Sequence, residues 1–301
     1  MPKQLLIKRY LNNTSYRYFM TSPSQSERSM RSKEKITLAS NEIHLWMTKP
    51  AELLDNDELL ASYSTLLTST ELAKQQRYKF AKDRYDALIT RAFIRDLLSY
   101  YADVAPQDWQ FEKGAKDKPE VVNCPLPLRF NISHTKNLIV CAVTLEDDIG
   151  CDVENTGRNN DVLAIAERYF SPTETTDLFA LPEAHQRNRF FDYWTLKESY
   201  IKAWGLGLAI PLADFSFEIN DTEQDYKNLF TIKKDISLSF AQHRVDEPQI
   251  WRSWIVYPSA EIDEKQEHRI AFSLRAKSDN QKTDYQLRFF DTLPLLGYQE
   301  L

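Results

Sequence analysis

Two carboxylates set two residues apart are the first residues in this sequence that could do chemistry. They lie in Ile149-Gly150-Cys151-Asp152-Val153-Glu154, a run that reads as a strand. Residues i and i+2 of a strand project from the same face. Asp152 and Glu154 then point one way while Cys151 and Val153 point into the core. Neighbouring carboxylates repel, and burying them is costly without a cation. A hard divalent ion with oxygen ligands, Mg²⁺ first, relieves that repulsion. Two exposed acids on a solvated edge strand are the plainer alternative.

A second cluster is Trp194-Thr195-Leu196-Lys197-Glu198-Ser199-Tyr200-Ile201-Lys202. On a helix, Trp194, Glu198 and Lys202 share one face at i, i+4 and i+8. Glu198 could complete a three-carboxylate metal site, and Lys202 could neutralise a phosphate held by that metal. An ordinary surface ion pair is the bland reading. The following Gly205-Leu206-Gly207-Leu208 ends the helix and admits close approach of backbone to a ligand. A third cluster, Asn131-Ile132-Ser133-His134-Thr135, precedes an apolar run. Ser133 and His134 at a strand entrance can donate to an anion, although a lone histidine is more often structural. Upstream, Pro119 stiffens a loop and aims Lys118, or leaves it solvated.

These side chains need elements to hold them. Ile43–Met47 reads as a strand, and 57–67 and 69–101 read as helices. Leu138–Val143 is a buried strand and Ile149–Val153 another. Helices fit 161–169, 172–180 and 186–204, and strand candidates follow at 212–219, 249–257, 268–275 and 284–290. Ile43–Leu98 and Ile149–Trp204 echo one another. Each opens with a strand, passes a Ser-x-x-Glu-like helix start (Ser69-Thr70-Glu71; Ser171-Pro172-Thr173-Glu174) and ends in a helix with spaced cations. Duplication predicts two similar halves meeting near residue 147; chance likeness of helical patterns is the alternative.

Composition sets the outer limits. The chain has 301 residues, 42% hydrophobic and 27% charged, with a net charge of -6, as in ordinary soluble domains. Residues 1–38 carry eight Lys/Arg against two acids, so the remainder holds a net -12. An acidic body argues against a broad nucleic-acid surface, and any bound anion must meet a local basic pocket. The serine-rich N-terminal stretch lacks an apolar secretory core. Its composition allows an organelle transit peptide, and a loosely packed, dispensable extension is the simpler reading. Three cysteines without a C-x-x-C pair favour a reducing, cytoplasmic setting over a disulfide scaffold. No apolar run approaches the ~18 residues of a membrane span. No G-x-G-x-x-G or P-loop appears.

Together the motifs resemble a 4'-phosphopantetheinyl transferase of the Sfp type. The resemblance rests on Phe130-Asn131-Ile132-Ser133-His134, Ile149–Glu154, Phe170-Ser171-Pro172-Thr173-Glu174 and Trp194–Lys202, in that order and spacing. Arg77-Tyr78-Lys79-Phe80, Asp83-Arg84, Arg91, Arg95 and Lys118-Pro119 extend it across 40–260. Two departures are Asp117 before Lys118-Pro119, where the family has glycine, and Cys151, where it has an aliphatic residue.

The resemblance implies an α+β fold of two similar α/β halves related by a pseudo-twofold. It divides the chain into a basic extension (1–39), an N-terminal half (40–146), a C-terminal half with the metal site (147–276) and a tail (277–301). It implies transfer of 4'-phosphopantetheine from coenzyme A to a serine of an acyl- or peptidyl-carrier protein, with release of 3',5'-ADP. Asp152, Glu154 and Glu198 are the implied ligands of Mg²⁺, or Mn²⁺. Glu198, directly or through a water, is the implied base, and Lys202 contacts the pyrophosphate. Coenzyme A contacts are Arg84, Arg91, Lys118, Ser133, His134, Asp152, Lys197 and Lys202. The carrier is expected to dock on 156–180, including Arg158, Arg168 and Phe170. Neither nucleic acid nor membrane is an expected partner, and a monomer suffices. Two other readings compete. A metal-dependent nuclease would place a lysine two residues after the second acid, where Thr156 stands. A non-catalytic binder of coenzyme A or carriers would not need all three carboxylates.

Overall fold

The computed structural model describes residues 31–54, 56–114, 119–205, 210–277 and 284–301. The chain begins with β1 (Glu42–Thr48), α1 (Asp57–Leu66), α2 (Ser69–Gln76) and α3 (Ala81–Ser99). Next come β2 (Phe111–Lys113), β3 (Pro119–Val121), β4 (Leu128–Thr135), β5 (Leu138–Leu145) and β6 (Asp148–Asn155). Three helices follow: α4 (Val162–Tyr169), α5 (Pro172–Ala180) and α6 (Glu183–Trp204). The rest is β7 (Phe215–Ile219), β8 (Glu223–Tyr226), β9 (Phe230–Lys233), β10 (Ile236–Phe240), β11 (Trp251–Pro258), β12 (His268–Arg275), β13 (Gln286–Leu293) and β14 (Gly297–Glu300). The mixture is α+β, as the motifs imply.

Two compact units are interleaved along the chain. One unit gathers 31–36, Thr48–Trp109 and Asp291–Gln299. It is helical, and its buried cation is Arg95, which donates to Glu71 at 2.7 Å and to the Trp109 carbonyl at 2.6 Å. The end of the expected extension is anchored here. Arg31 pairs with Asp291 at 2.6 Å, Ser32 bridges to Tyr298, and the Ile36 amide donates to the Tyr100 carbonyl. Arg31 to Ile36 is therefore packed chain rather than loose leader.

The single helix expected over 69–101 is two helices broken at Arg77–Phe80. Phe80 is extended (φ -94°, ψ 142°). Arg84 donates to the Tyr78 and Lys79 carbonyls, at 2.6 and 3.2 Å. A side chain thus satisfies carbonyls that a continuous helix would use. The N-terminal cap of α2 is Thr68, one residue before the expected serine, in a reciprocal box with Glu71.

The other unit holds Thr37–Met47, Gln110–Phe290 and Glu300–Leu301. Here β13, β1, β5 and β4 lie side by side, and a second antiparallel sheet runs β6-β12-β11-β9-β8. Strand alternation explains the layers. Ile149, Cys151 and Val153 of β6 join Leu138, Val140 and Ala142 of β5 in one core between the sheets. Ala271 and Ile255 face the other way, into a core with Leu196, Tyr200 and Phe190 of α6. Pro172 in the first turn of α5, with Ser171 and Glu174 closing a capping box, starts that helix. Gly205 ends α6 at φ 72°.

The tail beyond residue 276 supplies β13, whose Phe289 and Phe290 are fully buried. Phe289 stacks on Phe230 at 4.4 Å. Phe289→Ala should cost ~3–5 kcal/mol, read as a lower denaturation midpoint in urea with an unchanged slope.

Candidate active site on β6 and α6

The close approach of α6 to β6 builds the site. A Cβ on Gly150 would lie 2.1 Å from the Ser199 carbonyl oxygen and 2.3 Å from the Ala203 nitrogen. These are backbone atoms that cannot swing aside, so only glycine fits. Asp152 and Glu154 alternate with Gly150 onto the same face of β6 and thus face the helix.

Glu198 and Lys202 stand one turn apart on α6. The Lys202 ammonium lies 2.6 Å from Asp152 Oδ1 and donates to Ser133 Oγ at 3.0 Å. Ser133 donates to Asp152 Oδ1 at 3.0 Å. The other carboxylate oxygen, Asp152 Oδ2, is buried and has no hydrogen-bond partner among the described residues. Arg158 Nη1 lies 2.8 Å from Glu154 Oε2.

The charge balance is incomplete. Burial first, and then Asp152, push Glu154 up to about 7. Burial and Asp152 likewise raise Glu198, against the pull of Lys202. Burial disfavours the Lys202 ammonium, but Asp152 outweighs it and keeps its pKa above the ordinary value. Three acids around an unpartnered oxygen suit a hard divalent ion chemically. Among the described residues no three such side chains already converge at metal-binding separation, and Lys202 holds Asp152 Oδ1.

Asn131, Ser133 and Thr135 alternate onto the side of β4 that meets β6. Asn131 Oδ1 accepts from the Cys151 amide at 2.9 Å, and Ser133 Oγ accepts from the Val153 amide at 3.3 Å. Thr135 Oγ1 accepts from Arg158 at 3.0 Å. Side chains of one strand thereby satisfy the edge amides of another. The residues expected only to greet an anion also clamp the strand that bears the acids. The i, i+2, i+4 polar period was present in Asn131-x-Ser133-x-Thr135 and is the signal for it. His134, on the alternate face of β4, is exposed.

Lys197 corrects an expectation. It is fully buried, 2.7 Å from Glu174, and donates to the Leu212 and Phe215 carbonyls at 2.8 and 2.7 Å. Its ammonium also sits 4.2 Å from the Phe215 ring centroid. One step along a helix turns its side chain about 100° away from Glu198, and its donors go to Glu174 and the two carbonyls. The family motif Phe170-Ser171-Pro172-Thr173-Glu174 thus ends on the partner of Lys197. Phe170 is buried on Phe190, with ring centroids 5.2 Å apart, so it is no part of a docking surface. Arg84 and Arg91 belong to the helical unit. Arg84 spends its guanidinium on the helix break, and Arg91 donates to the Ala87 carbonyl at 3.0 Å. Lys118 lies outside the described residues.

Comparison with known proteins agrees with these motifs. Residues 148–272 match the family model of the 4'-phosphopantetheinyl transferase superfamily, and 55–146 match that of the 4'-phosphopantetheinyl transferase N-terminal region. The chain is 35% identical to 4'-phosphopantetheinyl transferase HetI of Nostoc over 62% of its own length and 78% of that protein. It is 29% identical to 4'-phosphopantetheinyl transferase Sfp of Bacillus subtilis over 60% of this chain and 77% of that one. It is 28% identical to the rat L-aminoadipate-semialdehyde dehydrogenase-phosphopantetheinyl transferase over 80% of this chain and 76% of that one.

Lys197→Met should remove ~3–5 kcal/mol of stability by leaving the buried charge of Glu174 without its cation. Glu174→Leu also strips the α5 cap and the Phe217 amide of their acceptor, so the double variant should lose less than the sum of the two single losses. A double-mutant cycle in denaturant checks this, and additive losses would show that the pair does not act as a pair.

Proposed function

The chain belongs to the 4'-phosphopantetheinyl transferase superfamily, and we propose that its reaction runs between β6 and α6 on coenzyme A and an acyl- or peptidyl-carrier protein. The carrier's serine oxygen attacks the β-phosphorus of coenzyme A, the bond to the bridging oxygen breaks, and 3',5'-ADP leaves. Such transfer depends on placement and charge neutralisation more than on covalent help from the protein.

The observation that carries this reading is Asp152, held on one oxygen by Lys202 and Ser133 and, among the described residues, unpartnered on the other. Asp152, Glu154 and Glu198 would hold Mg²⁺, which supplies positive charge against the pyrophosphate. Lys202, kept charged by Asp152, neutralises phosphate oxygens as the leaving group departs. Ser133 fixes the direction of that ammonium. Glu198, directly or through a water, is the proposed acceptor for the serine proton. Ser133, His134 and Lys118 remain the proposed contacts of the nucleotide end, and Arg84 and Arg91 remain proposed coenzyme A residues. Both arms of the site come from one chain, which supports a monomer as the working form. Among the described residues no helix is long and apolar enough to cross a membrane, and the three free cysteines support a reducing, cytoplasmic setting.

Incubation with an apo carrier, coenzyme A and Mg²⁺ should add one phosphopantetheine to the carrier's mass. Asp152→Ala should abolish that gain, and Lys202→Ala should lower kcat roughly 100-fold with little change in KM. Wild-type turnover in either variant would overturn the assignment.

The acids also predict a pH-dependent response to metal. The folded chain holds a proton on Glu154 more tightly than the unfolded chain does. Ionising it therefore costs stability as pH rises from the ordinary carboxyl value of ~4.3 through about 7. Mg²⁺ should offset that cost, by ~2.7 kcal/mol at one hundred times its Kd. Thermal unfolding with and without Mg²⁺ should show a larger gain in Tm at pH 8 than at pH 5. Equal gains would place the ion elsewhere.

A further inference from the structure

On a different face of α6 from Lys202, another carboxylate gathers an unusual number of donors. Asp246 sits between β10 and β11, and only 2% of its side chain is exposed. Its Oδ2 accepts from the Tyr200 hydroxyl at 2.7 Å and the Trp204 indole at 3.0 Å. Its Oδ1 accepts from the Trp251 indole at 3.2 Å and the Glu247 amide at 2.9 Å. Arg244 stands 3.7 Å from Oδ2 and donates to the Tyr200 hydroxyl at 2.8 Å.

Tyr200 and Trp204 bracket Lys202 on the last turn of α6. They lie on the back of the helix when Lys202 points to Asp152, because two residues turn a helix about 200°. Trp204 is held again from outside by Arg275, whose guanidinium carbon is 4.1 Å from its ring centroid. A helix end is where backbone hydrogen bonds run out and fraying begins. Lys202 is within three residues of the cap at Gly205, yet its ammonium must keep its 2.6 Å contact with Asp152.

We propose that Asp246 is a positioning residue for the transfer reaction: by tying Tyr200 and Trp204 together it fixes the last turn of α6 and so the placement of Lys202. This inference rests on the reading of Lys202 given above. It assigns Asp246 no contact with substrate. The carboxylate acts through the helix, and the chemistry it offers is acceptance by two oxygens of donors that no neutral side chain of its size would satisfy together.

Asp246→Asn exchanges one of those oxygens for a donor and leaves at least one of the converging groups unpaired. Tyr200→Phe/Trp204→Phe keeps an aromatic ring at both positions and removes the two donors from α6, together with the hydroxyl that accepts from Arg244. It covers the case in which Asp246→Asn does not fold. Each variant is assayed below its own melting temperature, with kcat expressed per folded molecule. Both should lose about tenfold or more in kcat, with KM for coenzyme A changed less than threefold. A loss that acts through Lys202 should vanish in the Lys202→Ala background, so the double variants should be no slower than Lys202→Ala alone. Val245→Ser, at a fully exposed neighbour, serves as the control with wild-type kcat. Unchanged kcat in the folded variants, or losses that multiply with that of Lys202→Ala, would overturn the inference. If Lys202→Ala itself keeps wild-type kcat, the reading of the site fails, and the role of Asp246 in placing Lys202 fails with it.

Discussion

The contact on which the site depends is the one at Gly150, where the backbone of α6 lies against β6 with no room for a methyl group. Close packing of this kind fixes both distance and rotation, because helix carbonyl and amide atoms meet the strand directly. Asp152 and Glu154 follow Gly150 on the strand, and Glu198 and Lys202 flank Ser199 and Ala203 on the helix. Once Gly150 sets the separation, Lys202 can reach Asp152 at 2.6 Å. A second constraint acts from the opposite edge of β6. That strand ends its sheet, so its outward amides have no neighbouring strand. Asn131 and Ser133 accept from them in place of a backbone ladder. An exposed sheet edge is a liability, and here its cover also aims a hydroxyl at Asp152.

Two lysines on α6 show how burial separates scaffold from site. Lys197 is enclosed and has an acid and two carbonyls within hydrogen-bond distance. Glu174 in turn takes a helix cap and the Phe217 amide. Every charge there is answered, as a buried ion pair requires. Around Lys202 the count comes out differently. Three acids share the space, two of them with raised pKa values, and one carboxylate oxygen has no partner among the described residues. Unbalanced burial of like charges is unfavourable in the resting protein and is a mark of functional sites.

Much of this was legible in the residues. The alternation of Ile149–Glu154 gives the right faces, and the spacing of Glu198 and Lys202 gives the right side of the helix. The break at Arg77–Phe80 was not legible, because it contains neither glycine nor proline and relies on a side chain four residues on. The role of Lys197 was hidden because α6 is buried on more than one face, so its periodicity marks no single inner stripe. Strand β13 was readable as a strand but not as core, since only its partners show where Phe289 packs. Asp246 lies in a polar stretch with no period at all, and its importance appears only when Tyr200, Trp204 and Trp251 are seen to converge on it.

The acidity of the chain explains why so much structure serves so few cations. Outside residues 1–38 the chain carries a net -12, and the proposed donor, coenzyme A, is itself strongly anionic. Like charge disfavours their encounter, and each additional acid at the site deepens that cost. A single flexible lysine would spend its charge on the nearest carboxylate. Lys202 instead shares Asp152 with Ser133 and leaves the second oxygen of Asp152 unpartnered among the described residues. The positive charge is therefore fixed in direction while acid capacity remains for a metal. Fixing it requires a helix that does not yield, which is the work of Gly150 in front and of the buried Lys197 on another face.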